Sequence, residues 1–234
     1  EETATVTGRC VRLVSWALNG GGRLSFTHTS VTISAGSLQA VEPELQSQPP
    51  TGRSWYDTAA LAALGADIST ACAARLARMV GTHGLFLDGI NIPVPTVAGI
   101  ACWATLAPSA TGSDWRGPLR MRLDALPFAD DSICAVLACF PDAVDVSFAH
   151  ELARVLAPHG KLLVAGLHPR SLWRHGAAPR RWERALRNTG LDVLPAVRCG
   201  APWPRARGVA GLPQWLVRSA GGAWIVEARR SVLA

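Results

Sequence analysis

The feature that most constrains this chain is a pair of continuous apolar runs, residues 133–140 (ICAVLACF) and 161–167 (KLLVAGL). Neither alternates apolar with polar residues, so neither suits a sheet with one wet face. A strand with no polar side needs cover on both faces, the condition of a parallel sheet sandwiched between helices. Between the runs, residues 147–157 set Phe148, Leu152, Val155 and Leu156 at helical spacing. Pro158-His159-Gly160 is expected to stop that helix. Strand, crossover helix and strand together predict a βαβ unit.

The flanking sequence extends the pattern. Asp57-Thr58 can cap a helix reaching about Val80, with Gly81 as its stop. Residues 85–88 then form a short strand ending at Gly89, and residues 99–107 a second one. Residues 119–123 alternate and lead into a turn. Farther on, residues 179–189 align Trp182, Ala185, Leu186 and Thr189 on one helical face, with Gly190 as the left-handed exit. Residues 191–197 and 223–229 read as closing strands. The expected domain is 54–234, of α/β class, with a mostly parallel central sheet flanked by helices. Such sheets bind ligands beyond the carboxyl ends of their strands, which points to Gly89, Asp124, Phe140 and Leu167.

Residues 1–53 read as an N-terminal extension and linker. No acid occurs between Thr3 and Val41. That composition fits an organellar (mitochondrial) transit segment, a β-hairpin built on Leu24, Phe26, Val31 and Ile33, or a featureless extension. The chain opens on Glu1-Glu2 rather than Met, so a longer natural N-terminus is expected. No run approaches the ~18 uninterrupted apolar residues of a membrane span, and no membrane partner is expected. The six cysteines form no CxxC and no zinc spacing. A reduced, cytoplasmic compartment is therefore expected and no metal. The net charge of +6 rests on arginine, Lys161 being the only lysine.

Residues 123–173 (LDALPFADDSICAVLACF…HELARVLAPHGKLLVAGLHPRSLW) carry a family likeness. The stretch resembles the central half of class I S-adenosylmethionine (SAM) methyltransferases, in particular the type 11 methyltransferase domain. SWYDTA at 54–59 and GTHGLFLDG at 81–89 extend the resemblance over about three quarters of the chain. It implies a Rossmann-like methyltransferase fold with SAM as cofactor. It also implies that Asp124 accepts a hydrogen bond from the adenine amino group, that the N–H of Ala125 meets a ring nitrogen, and that Leu126 and Phe128 supply apolar surface. Read from the residues alone, Asp124 caps a turn.

Three departures qualify that implication. The family's first strand ends in a glycine-rich loop, because only glycine lets backbone approach the methionine end closely. Here Asp88-Gly89-Ile90-Asn91-Ile92-Pro93 keeps one glycine. The family acid stands two residues before it, at the place of Leu87, so Asp88 is one position off and points to the other face. The second strand should end in an acid for the ribose hydroxyls, yet residues 99–112 hold none and Asp114 is the nearest. Beyond the fifth strand, His168 replaces the family's asparagine. It reads either as a general base or as the cap of the following turn, with Trp173 packed on the sheet.

Nine arginines between Arg170 and Arg207, interleaved with Trp173, Trp182 and Trp203, can grip and stack RNA. Arg180, Arg184 and Arg187 also read as the solvent face of a helix. Two functions follow. One is a SAM-dependent methyltransferase with His168 as the catalytic residue, Asp88, Gly89, Asp124, Ala125 and Leu126 as cofactor contacts, and a small molecule or RNA as acceptor. The other is a catalytically inactive methyltransferase-fold binding or scaffold protein with a protein partner. An open or filled groove at 89–93 discriminates them.

Overall fold

The computed structural model describes residues 16–18, 24–26, 58–89, 92–108, 115–117, 120–139, 146–173 and 178–231. Contacts divide the chain into two compact units, Glu1–Gln46 and Ser47–Ala234. In the first, β1 (Trp16–Leu18) and β2 (Leu24–Phe26) pair antiparallel. Val31 and Ile33 lie outside the described residues.

The second unit contains, in chain order, α1 (Thr58–Leu76), β3 (Gly81–Asp88), β4 (Ile100–Pro108), β5 (Trp115–Arg116), β6 (Arg120–Met121), β7 (Ile133–Cys139), α2 (Val146–Val155), β8 (Leu156–Leu167), α3 (Pro179–Asn188), β9 (Asp192–Val193), β10 (Val197–Cys199), α4 (Gln214–Ala220) and β11 (Ala223–Arg229). Among the described residues nine strands form one sheet, ordered β10-β11-β8-β7-β3-β4-β5-β6, with β9 also on β11. β4, β3, β7 and β8 are parallel neighbours. β11 reverses direction against β8, and β5 against β4. The three apolar strands are thus adjacent and parallel, with Leu85 beside Val136 and Val136 beside Leu162. This is a Rossmann-like α/β architecture, a largely parallel sheet with an antiparallel β11 beside β8.

Continuous apolar strands exist here because both faces are covered. On one side Ala60, Leu64, Ile68, Cys72 and Leu76, spaced by four along α1, join Phe86, Leu137, Cys139, Leu163 and Ile225 in one buried cluster. On the other lie the alternate residues Leu85, Leu87, Val136 and Val164, with Leu152 of α2 and Leu186 of α3 buried as well. There Phe148 and Trp182 meet edge to face at 5.9 Å. By length and hydropathy Ala59–Leu76 could also cross a membrane; the four-residue stripe on the sheet is what its apolar content serves.

Several boundaries differ from expectation. α1 ends at Leu76, and Gly81 opens β3 instead of stopping the helix. Glycine is needed there because a Cβ would run into the Cys134 sulfur. α2 ends at Val155 rather than 157, and β8 begins at once, passing through Pro158-His159-Gly160. Ile133 pairs with Leu156 but Ala135 with Lys161, so the intervening residues loop out as a bulge, with His159 at φ 60°. The 191–197 strand is two short pieces, β9 and β10, both on β11. β5 and α4 had no sequence signal. Most consequentially, residues 92–99 between the parallel strands β3 and β4 contain no helix.

Candidate functional site

The carboxyl ends of β3 and β8 are the places where this fold holds ligands, so the chemistry of each terminus decides what the site can do. At the end of β3, Asp88 is 7% exposed. Its Oδ2 accepts a hydrogen bond of 2.9 Å from the backbone N–H of Ile92. The N–H of Gly89 donates to the Cys139 carbonyl at 3.0 Å. These bonds tie Ile92 to the end of β3 and Gly89 to the end of β7. Ile92 and Val97, 5% and 7% exposed, join the core cluster beneath α1. Ile92 packs beside Gly65 of α1, where a Cβ would make an ordinary 3.5 Å contact with its side chain. Ile90 and Asn91 lie outside the described residues.

On the far side of β3, the end of β4 pairs with β5; Asp114 lies outside the described residues. Asp124 occupies a two-residue turn closed by a bridge between Arg122 and Ala125. Arg122 grips its carboxylate in bidentate fashion, Nε to Oδ1 at 3.0 Å and Nη2 to Oδ2 at 2.8 Å. That hydrogen bonding holds the Asp124 carboxyl below its ordinary range. The two backbone donors that follow are engaged within the protein. Ala125 N–H reaches the Arg122 carbonyl at 3.4 Å and Leu126 N–H reaches Glu151 Oε2 at 2.8 Å. Leu126 and Phe128 are buried in the core.

On the other side, His168 follows β8. Its N–H donates to the Gly222 carbonyl at 2.8 Å, and its Nδ1 accepts from Arg170 N–H at 3.2 Å. Its carbonyl receives both the N–H and hydroxyl of Ser171, at 2.9 and 2.7 Å. Trp173 is fully buried and donates Nε1–H to the Ala201 carbonyl at 2.8 Å. Partial burial, then the charges of Arg198 and Arg170, push the His168 imidazole below its usual value.

Strand order sets the separations. β8 lies two strands from β3 and β6 three strands from it on the opposite side. Asp88 and Gly89 adjoin at the end of β3, Asp124, Ala125 and Leu126 follow one another after β6, and His168 follows β8. Two residues that organise this edge went unrecognised in the sequence, Glu151 and Arg154, spaced i,i+3 on α2. Arg154 donates to the carbonyls of Leu126 and Phe128 and to Asp130, and pairs with Glu151 at 2.7 Å. Their spacing was the available signal.

SAM requires an open backbone near its methionine end, a carboxylate for its ribose and free donors at its adenine. Here Ile92 is buried in the core cluster, the Asp88 and Asp124 carboxylates are engaged, and the N–H groups of Ala125 and Leu126 are bonded internally. Among the described residues no group of three or more His, Cys, Asp or Glu is placed to hold a metal ion.

No family model matches the chain, and no curated protein matches it. Solved structures similar in fold include a SAM-dependent methyltransferase from Aquifex aeolicus, 14% identical, covering 72% of this chain and 93% of that one, TM-score 0.48. A geranyl diphosphate methyltransferase in complex with SAM is 17% identical, covering 68% and 84%, TM-score 0.45. A Haloferax volcanii chain solved with the Trm112 methyltransferase activator is 17% identical, covering 71% and 90%, TM-score 0.43.

Proposed function

We propose that this chain is a methyltransferase-fold binding or scaffold module that has lost the use of SAM. The observation that carries the reading is Ile92, buried in the core cluster where the fold's cofactor loop would stay open. The Asp88–Ile92 hydrogen bond and the Arg122–Asp124 pair support it, since a ligand would have to displace each. Fold alone does not fix activity.

A SAM-dependent methyltransferase with His168 as general base is the second reading. It is favoured by the place of His168 directly after β8, with Nδ1 bonded by Arg170 N–H and burial disfavouring the charged imidazole. Calorimetric titration with SAM separates the two. The scaffold reading expects a dissociation constant on the order of 0.1 mM or weaker, against the micromolar range of a working site. A constant of a few micromolar would refute it and make His168→Ala the next experiment.

A further inference from the structure

Opposite the β4–β6 edge, the sheet ends on β10, and the surface built around it has an unusual composition. From Val193 to Val226 the chain contains no acidic residue. It does contain Arg198, Arg205, Arg207 and Arg218, together with exposed Val197, Trp203 and Trp215, the last 69% exposed. Helix α4 carries Trp-Leu-Val in sequence and buries none of its residues fully. Its Leu216 and Val217 are half-buried, whereas the indole of Trp215 stands uncovered.

Hydrogen bonds make this surface continuous. Arg198 of β10 donates to the Ser219 carbonyl of α4 at 2.6 Å. Leu172, 70% exposed, donates its N–H to the Pro202 carbonyl beside Trp203. The 205–210 turn is seated on α1, where Val209 N–H meets Asp67 Oδ1 at 3.3 Å. His168 N–H donates to the Gly222 carbonyl at 2.8 Å, which ties the 168–173 turn, with Arg170, to the same region.

We infer that the β10–α4 surface, with the 168–173 turn, binds single-stranded nucleic acid, its arginines meeting phosphates and Trp203 and Trp215 stacking on bases. The inference rests on the scaffold reading and names its partner. Exposed indoles interleaved with guanidinium groups match a strand whose bases are unstacked and whose backbone is anionic. A membrane surface is a poorer match. Interfacial helices segregate a long apolar face from a basic one, whereas α4 has seven residues and Pro202, Pro204 and Pro213 bound its surroundings.

The test is fluorescence anisotropy with a labelled single-stranded RNA of about 12 nucleotides, within the usual site size. Binding should weaken with salt, with a log–log slope of about −2 to −3 for three or four neutralised phosphates. Trp215→Ala should weaken it about tenfold, and Arg207→Glu with Arg218→Glu should flatten the salt slope. Both changes are on the surface, and unchanged thermal melting would show that the fold is intact. No binding at tens of micromolar, equal binding of duplex, or binding of anionic phosphatidylserine vesicles unaffected by competing RNA would each overturn the inference. SAM calorimetry on the same sample keeps the two readings apart. RNA binding together with micromolar SAM affinity would retain this surface and refute the scaffold reading. Absence of both RNA and SAM binding would do the reverse.

Discussion

Replacing Arg154 with methionine should release the segment that the methyltransferase likeness assigns to adenine recognition. Arg154 lies on α2 and makes five contacts. Nε and Nη2 meet Glu151 at 2.8 and 2.7 Å, Nη1 meets the Phe128 carbonyl at 2.9 Å and Asp130 at 2.6 Å, and Nη2 meets the Leu126 carbonyl at 2.9 Å. Its side chain is 22% exposed and that of Glu151 19%, whereas Asp130 is 56% exposed. The Asp130 pair therefore adds little. Two carbonyls and one carboxylate lose a cationic donor in a half-buried setting. Breaking a fully buried pair costs ~3–5 kcal/mol, and partial exposure brings the expected loss to about 3 kcal/mol. At ~2–4 °C per kcal/mol for a domain of this size, melting should fall by roughly 6–12 °C. Urea denaturation should show a lower midpoint at an unchanged slope. A double-mutant cycle with Glu151→Gln should give coupling of at least about 1 kcal/mol. A total loss under about 1 kcal/mol, or no coupling, would refute the clamp.

His168 should titrate below its ordinary 6.5 in an NMR pH series, because burial and two arginines disfavour its charged form. A depressed folded value means that stability is fully present above 6.5 and declines as pH falls through the folded value; a midpoint at or above 6.5 contradicts this. Asp67 is shifted the other way, upward, chiefly by burial, and its Oδ2 is buried without a hydrogen-bond partner. Stability should thus fall as pH rises from 3.8 through the raised value, and Asp67→Asn should remove that slope in denaturation series. An unchanged slope would sink the assignment. Gly222→Ala should be severely destabilising, since a Cβ there meets the Ala201 carbonyl and the Trp173 ring. Near-UV circular dichroism identical to the parent would contradict it.

The sequence by itself determined the layers of this protein. Unbroken apolar runs at 133–140 and 161–167 have no soluble solution other than strands covered on both faces, and the helical stripe between them supplies one cover. It also determined the exposed arginine face of α3, where Arg180, Arg184 and Arg187 are all exposed. Local signals failed wherever long-range packing outweighed them. Gly81 reads as a helix stop, yet pairing with Ile100 makes it a strand residue, and the nearby Cys134 sulfur requires it to be glycine. Pro158-His159-Gly160 reads as a break, but pairing at Leu156 before it and along residues 161–167 after it lets β8 absorb it as a bulge. The site was harder still. Asp88, Asp124 and His168 were visible as residues, while their engagement was not, because a carboxylate's availability depends on which donor reaches it. Ile92 N–H reaches Asp88, Arg122 reaches Asp124, and Glu151 reaches Leu126 N–H across twenty-five residues of sequence. Only the tertiary structure could decide those pairings, since hydrogen bonds act over about 3 Å of space and sequence records only order along the chain.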